Sequence, residues 1–423
     1  MSDLAVFAIV LAIVSLFRTR MKSLPLTPPM LFVGAGLLLG PEALGFVDLD
    51  LDDETVVLIA ELTLALVLFS DAARIDTRSD RLSFGLPARL LAIGLPLTIG
   101  LGTIVTRLLL PDLSWAQAAL VATILAPTDA ALGEAVVTNE SVPVRIRQAL
   151  NVESGLNDGL VVPVFTLLLA VVAGSEIEGA GSLVGEALGE IAIGLAVGAA
   201  AAFVMSLVLP AVRSRGWTDG EGLRLVALGC GLAAFAGAEV LGGNGFLAAF
   251  ACGLIARYRL GPDVAERTEL AEDIGQIGAS MTFVLFGALL VVPALEVLSF
   301  GVVLCAIGTL TLGRMMPVAI SLIGTGLMRP TVAFMGWFGP RGLASMLFGL
   351  LVVTEGGVDT ADDLFSVVVL VILASVILHG VTAAPWSARY GAWFAEHGVM
   401  DDDMPEAEPV TESRMRGQRA TRH

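Results

Sequence analysis

Apolar runs close to membrane-spanning length follow one another from end to end of this chain, and they fix the solvent in which it folds. They lie near residues 2–17, 24–40, 55–71, 86–107, 114–137, 147–173, 183–211, 222–241, 243–257, 274–293, 296–323, 330–354 and 364–386. A helix needs about 20 such residues to cross the hydrocarbon of a bilayer. The runs are continuously apolar, which predicts helices and excludes a barrel, whose strands would alternate over about ten residues. A composition 56% hydrophobic and 15% charged agrees, lying outside the range of soluble domains. The expected fold is an all-α polytopic membrane protein with 13 transmembrane segments.

The basic residues give an orientation, because Lys and Arg collect in short cytoplasmic loops. Of the 24, 21 fall after the odd-numbered segments or in the C-terminal tail, as at Arg18, Arg20 and Lys22 or Arg213, Arg215 and Arg224. Arg107 alone falls on the opposite side, and Arg314 and Arg341 lie inside apolar segments. An odd number of crossings then puts the N-terminus outside and the C-terminus in the cytoplasm of a bacterial inner membrane. The first segment carries its positive charges after the apolar run, so it reads as a span and not a cleaved signal.

The net charge of −17 comes largely from acids outside the spans, such as Asp48 to Glu54 and Glu355 to Asp363. It reads as surface composition first, and as a vestibule that concentrates cations second. No nucleic-acid partner fits it. Cys230, Cys252 and Cys305 all sit in apolar segments without metal-ligand spacing and read as core.

No soluble domain interrupts the segments, so residues 1–396 read as one membrane domain and residues 397–423 as a short disordered cytoplasmic tail. Transporters are often built from inverted repeats, signalled by Gly/Pro-interrupted segments at corresponding positions. If segment 7 links two six-helix halves, segments 5 and 12 correspond. Segment 5 breaks at Ala126-Pro127-Thr128-Asp129, and segment 12 at Gly336 to Gly342, which contains Pro340 and Arg341. One segment runs inward and the other outward, so the halves would be inverted repeats with discontinuous helices 5 and 12. Broken helices leave amides and carbonyls that ions or side chains must meet. Asp129 suits an amide end and Arg341 a carbonyl end.

Ionisable residues inside spans default to functional hypotheses. The densest set is Asn151 to Gly159, with Glu153, Ser154, Asn157 and Asp158. On a helix Ser154 and Asp158 share one face at i,i+4, and Glu153 and Asn157 share an adjacent one. Asp158, Ser154 and Asp129 with the Thr128 carbonyl make an oxygen-only set, the ligand type that suits a hard cation. Glu153 needs a separate partner, and Arg314 is the candidate, since a buried guanidinium pairs well with a carboxylate. That pairing reads as a staple between helices more than as an ion ligand. It leaves Asp158 as a buried carboxylate of the kind a proton carrier needs.

Pro127-Thr128-Asp129 followed by Glu153-Ser154-x-x-Asn157-Asp158-Gly159 resembles the signature of the NhaP-type sodium/proton exchangers, relatives of the animal exchangers. The likeness extends through Glu61-Leu62 into Leu68-Phe69-Ser70-Asp71, through Phe246-Leu247-Ala248 and Gly253-Leu254, to the Arg314 segment and Gly339-Pro340-Arg341-Gly342. The resemblance implies that Asp158 carries the exchanged proton and cation, with Asp129, Ser154 and the Thr128 backbone completing a Na⁺ site. It implies a supporting Glu153–Arg314 ion pair, and 13 helices arranged as a core and a dimerisation part. The family pattern often has Pro after the Thr-Asp, where this chain has Ala130.

Asp71, at the inner end of segment 3, is a candidate for a cytoplasmic vestibule, although a solvated helix end is the preferred reading. Glu61, Glu239 and Gln276 fit vestibule or helix-partner positions. His379 invites a pH-sensor reading, but a single His near a helix end is more often packed and hydrogen-bonded. The small residues of segment 7, among them Gly194, Gly198 and Ala202, suit close helix packing, within the chain or in a homodimer. No cofactor is expected beyond the transported ions, Na⁺ first, then Li⁺ or K⁺. Competing readings are a K⁺/H⁺ exchanger, a Na⁺-coupled organic-anion symporter, a cation channel and an intramembrane aspartyl enzyme.

Overall fold

In the computed structural model, residues 2–21, 26–47, 54–75, 81–129, 132–174, 180–261, 263–354, 363–398, 404–408 and 410 are described. They are helical with short connections, and no strand occurs among them. Each of the 13 apolar segments corresponds to one helix or to one interrupted helix. Among the described residues, eight helices are long and apolar enough to cross a membrane, from Thr55–Arg74 to Asp363–His397, and four apolar helices are shorter. Two of the short ones, Trp115–Ile124 and Leu343–Thr354, are halves of the discontinuous segments 5 and 12.

The chain clusters into two compact units within the stretch expected as one membrane domain. The first comprises Met1–Val57, Asp80–Asn157 and Ser280–Glu412; the second includes Leu58–Ser79 and Asp158–Ala279. One of the sequence boundaries between them falls inside helix Val144–Gly174, after Asn157.

Proline shapes the first unit. Pro127 follows helix Trp115–Ile124 and cannot continue it, since it has no N–H to donate and restrains the residue before it. Two five-residue π-helical turns, Leu90–Gly94 and Phe286–Leu290, stand just upstream of Pro96 and Pro293. In the first, the Leu95 amide bonds back to the Leu90 carbonyl, a wider turn that accommodates the amide missing at Pro96. At the start of segment 5, Ser114 and Gln117 form a reciprocal capping box, with bonds of 3.2 and 2.8 Å.

Of the tail expected to be disordered, residues 404–408 and 410 are described beyond the end of the last helix. Glu406 is buried and accepts from the Met328 amide and the Thr331 hydroxyl, each at 2.7 Å. Glu408 pairs with Arg145 at 2.5 Å. A carboxylate thus meets the amide end of helix Arg329–Trp337, where negative charge is favoured.

The second unit is held by close helix approach. A side chain at Gly198 would strike the Ala248 carbonyl, one at Gly194 would lie 2.5 Å from the Asn244 carbonyl, and one at Gly253 would strike the Phe69 carbonyl. These glycines let helix Ala180–Ser214 approach Gly245–Leu260, and the latter approach Glu54–Arg74, almost backbone to backbone. Gly194 and Gly198 of segment 7 therefore serve a contact within the chain. Around them packs a core that includes Ala202, Met205, Ala248, Ala249 and Cys252.

Candidate functional site

The two helix breaks meet in the first unit, and each supplies the other's missing partners. Helix Trp115–Ile124 ends in free carbonyls at residues 124 and 125. The Arg341 Nε donates to the Leu125 carbonyl at 2.8 Å, and the Ser345 hydroxyl donates to that of Ile124 at 2.7 Å. Arg341 is fully buried and its Nη1 also donates to the Gly339 carbonyl, so one guanidinium serves both breaks. In the opposite sense, the Leu343 amide, at the start of helix Leu343–Thr354, donates to Asp129 Oδ2 at 2.8 Å. The Asp129 amide donates to the Pro340 carbonyl at 2.7 Å. Negative charge thus stands at an amide end and positive charge at carbonyl ends, as the macrodipole favours. Gly342 is required here, because any Cβ would collide with the Asp129 carboxylate.

Helix Val144–Gly174 brings its polar turn against the first break. The Thr128 and Ser154 hydroxyls are 2.8 Å apart, and the Asn157 amide nitrogen donates to Thr128 Oγ1 at 2.8 Å. Asn157 Oδ1 is buried and accepts no hydrogen bond. Asp158, next in the helix and one turn from Ser154, is also buried. A small cleft reaches this region, with Asp129, Asn151, Ser154, Phe338 and Pro340 in its lining.

Glu153 does not join the oxygen set. Both its carboxylate oxygens are taken by Arg314 in a bidentate pair, at 2.5 Å to Nη1 and 2.8 Å to Nη2, with both residues buried. The i,i+4 arithmetic that separated Glu153 from Ser154 and Asp158 is what turns it toward Arg314.

Asp71 is not at a solvated helix end. It is buried and accepts from Arg74 at 2.9 Å, and Arg74 also lies 3.4 Å from Glu272, so in the second unit it belongs to a buried ionic group. His379 is packed and hydrogen-bonded through both ring nitrogens. Sequence reasoning missed Ser345 and Ser375, both of which bond to backbone at the breaks. The one available signal was a hydroxyl residue inside an apolar helix at helical spacing from a flagged residue, Arg341 or His379.

The family model described as sodium/hydrogen exchanger, transmembrane, matches residues 6–389. The K(+)/H(+) antiporter NhaP2 of Shewanella sp. (strain ANA-3) is 24% identical over 84% of this chain and 61% of its own length. The K(+)/H(+) antiporter NhaP of Alkalimonas amylolytica is 25% identical over 89% of this chain and 65% of its own. The chain thus spans less than two thirds of these relatives. Among solved structures, the sodium proton antiporter MjNhaP1 from Methanocaldococcus jannaschii at pH 8 superposes with a TM-score of 0.73. That match has 19% identity and covers 89% of this chain and 98% of that one, a likeness of fold.

Proposed function

The chain belongs to the sodium/hydrogen exchanger family, and on that premise we propose that it exchanges a monovalent cation for protons across the membrane, with Asp158 as the exchanging carboxylate. The observation that carries the reading is the oxygen-lined turn held against the first helix break. Thr128 Oγ1, Ser154 Oγ and the unengaged Asn157 Oδ1 come together there, immediately before Asp158 in the same helix. Oxygen ligands of this kind suit a hard cation. Asp129 contributes charge beside them while one of its oxygens caps the second half-helix.

Coupling follows from competition at one carboxylate. Asp158 can hold a proton or help hold a cation, and a neutral acid loses most of its attraction for the ion. Glu153, held by Arg314, is not available as a second exchanging acid, so one proton replaces one cation and transport is electroneutral. Na⁺ is the first choice of cation; the names of the relatives support K⁺ as the second. The distribution of basic residues supports an outer N-terminus and a cytoplasmic C-terminus in a bacterial inner membrane. The family supports a homodimer.

The test is cation-dependent proton flux in proteoliposomes with Na⁺, Li⁺ and K⁺ in turn. The apparent KM for the transported cation should rise about tenfold for each unit by which the pH falls below the site pKa, as one proton competing at one carboxylate requires. Asp158→Asn should abolish exchange with the fold retained. A KM that is flat with pH, or an Asn variant that still exchanges, would sink the single-site mechanism. A flux equilibrium that shifts with imposed membrane potential would remove electroneutrality.

A further inference from the structure

Among the helical hydrogen bonds that the break in segment 12 severs, one has both its halves taken up by a single turn of the neighbouring helix. In an uninterrupted helix the Arg341 amide would donate to the Trp337 carbonyl, four residues back. Here helix Arg329–Trp337 has ended and the two groups have parted. The Arg341 amide donates instead to Ser375 Oγ at 2.6 Å, and the Trp337 carbonyl lies 2.9 Å from His379 Nε2. Ser375 and His379 are four apart on helix Asp363–Gly398, so they present one face. Both are buried, at 0% and 2% exposure, away from any water that could stand in for them.

With a neutral ring, one arrangement of hydrogens satisfies these three contacts. A carbonyl only accepts, so His379 Nε2 carries the hydrogen toward Trp337. Nδ1 of a neutral ring is then an acceptor, and the Ser375 hydroxyl, 3.1 Å away, donates to it. The Ser375 carbonyl also lies 3.0 Å from Nδ1, a contact that this arrangement leaves without a hydrogen. The hydrogens run in one direction: Arg341 amide to Ser375 hydroxyl, Ser375 hydroxyl to His379 Nδ1, His379 Nε2 to Trp337 carbonyl. The Trp337 carbonyl also accepts from the Gly339 amide at 2.9 Å. The residue whose amide begins this chain is the one whose guanidinium holds the Leu125 carbonyl of the other break.

We propose that Ser375 and His379 are positioning residues for exchange: together they form a side-chain splint that replaces the severed Trp337–Arg341 backbone bond and holds Arg341 in place between the two helix breaks. The proposal rests on the exchange reading above. Neither residue touches the oxygen set at Thr128, Ser154 and Asn157, so the splint governs the geometry of the break and not how the cation is gripped. A glutamine can reproduce a donor and an acceptor on one planar group, whereas alanine can reproduce neither.

The experiment compares full-length Ser375→Ala, His379→Ala, the double variant and His379→Gln in proteoliposomes, with initial exchange rates read against cation concentration. Each alanine variant should lower the maximal rate about tenfold with the cation KM within about twofold, and the double variant should be no slower than the worse single one, as residues acting as a unit behave. His379→Gln should recover most of the rate. The chain contains three histidines, so nitrogen-15 histidine labelling isolates the His379 signal by its loss in His379→Gln. That signal should be the neutral ring with hydrogen on Nε2, and Ser375→Ala should shift its Nδ1 resonance. Parental rates in His379→Ala, alanine losses that multiply in the double variant, or hydrogen on Nδ1 in the parent would each overturn the splint. Absence of cation-dependent proton flux in the parent would instead overturn the exchange reading, and the nitrogen-15 measurement would still decide the hydrogen-bond arrangement.

Discussion

The two compact units handle the backbone's polar groups in opposite ways. In the second, helices Ala180–Ser214, Gly220–Val240 and Gly245–Leu260 are continuous, their amides and carbonyls pair internally, and small residues let the backbones close on one another. In the first, two segments are broken, and side chains replace the missing backbone partners: Asp129, Arg341, Ser345, Ser375 and His379. Lipid offers no hydrogen bonds to an interrupted helix, so irregular backbone persists only where protein groups satisfy it. Glycine therefore means different things in the two units. At Gly198 it permits contact between intact helices, and at Gly342 it makes room for the carboxylate that caps a broken one.

The largest effect expected from breaking this contrast is at the buried pair of the first unit. Arg314→Ala leaves Glu153 buried without its counter-charge and should cost about 3–5 kcal/mol of stability, read as melting temperature or folded yield. If the variant is as stable as the parent yet lacks cation affinity, Arg314 acts at the ion and the staple assignment is wrong. A smaller loss is expected from crowding the intact helices of the second unit. Gly198→Val places a side chain on the Ala248 carbonyl and should destabilise by about 1–3 kcal/mol, the usual range for overpacking. Gly237, whose added Cβ would make only an ordinary contact with Val197, is the control: Gly237→Ala should be neutral or gain about 0.5–1 kcal/mol through helix propensity. Equal losses at both glycines would mean that close approach is not what holds this unit.

The smallest effect should come from Asp129→Asn. The amide oxygen still accepts from the Leu343 amide, so only the charge at the helix N-terminus is lost, worth about 0.3–1 kcal/mol. Asp129→Ala removes the acceptor as well and should cost about 1–2 kcal/mol, within the range of a lost helix cap. Matching thermal shifts for the two variants would show that charge and not the hydrogen bond is what Asp129 supplies to the break.

Much of this protein is fixed by local chemistry that a single sequence displays. Apolar runs of spanning length specify helices because lipid leaves no other way to pair the backbone. Pro127 and Pro340 mark the breaks because proline lacks a donor. An Arg and a Glu buried in different spans, Arg314 and Glu153, imply each other because neither is tolerated alone in an apolar interior. What the tertiary structure decided is which polar group answers which. The Asp71 carboxylate and Arg74, three residues on in the same helix, are legible as neighbours near a helix end, but only packing brings Glu272 to them and buries them. Asp129 caps a helix more than 200 residues further along the chain, and the Arg341 guanidinium reaches the Leu125 carbonyl. The hydroxyl and imidazole of Ser375 and His379 are unremarkable in an apolar helix until the severed backbone bond is set against them. Local patterns register that a polar group must be satisfied. The identity of the partner depends on distances between residues far apart in sequence, and only the packed helices set those.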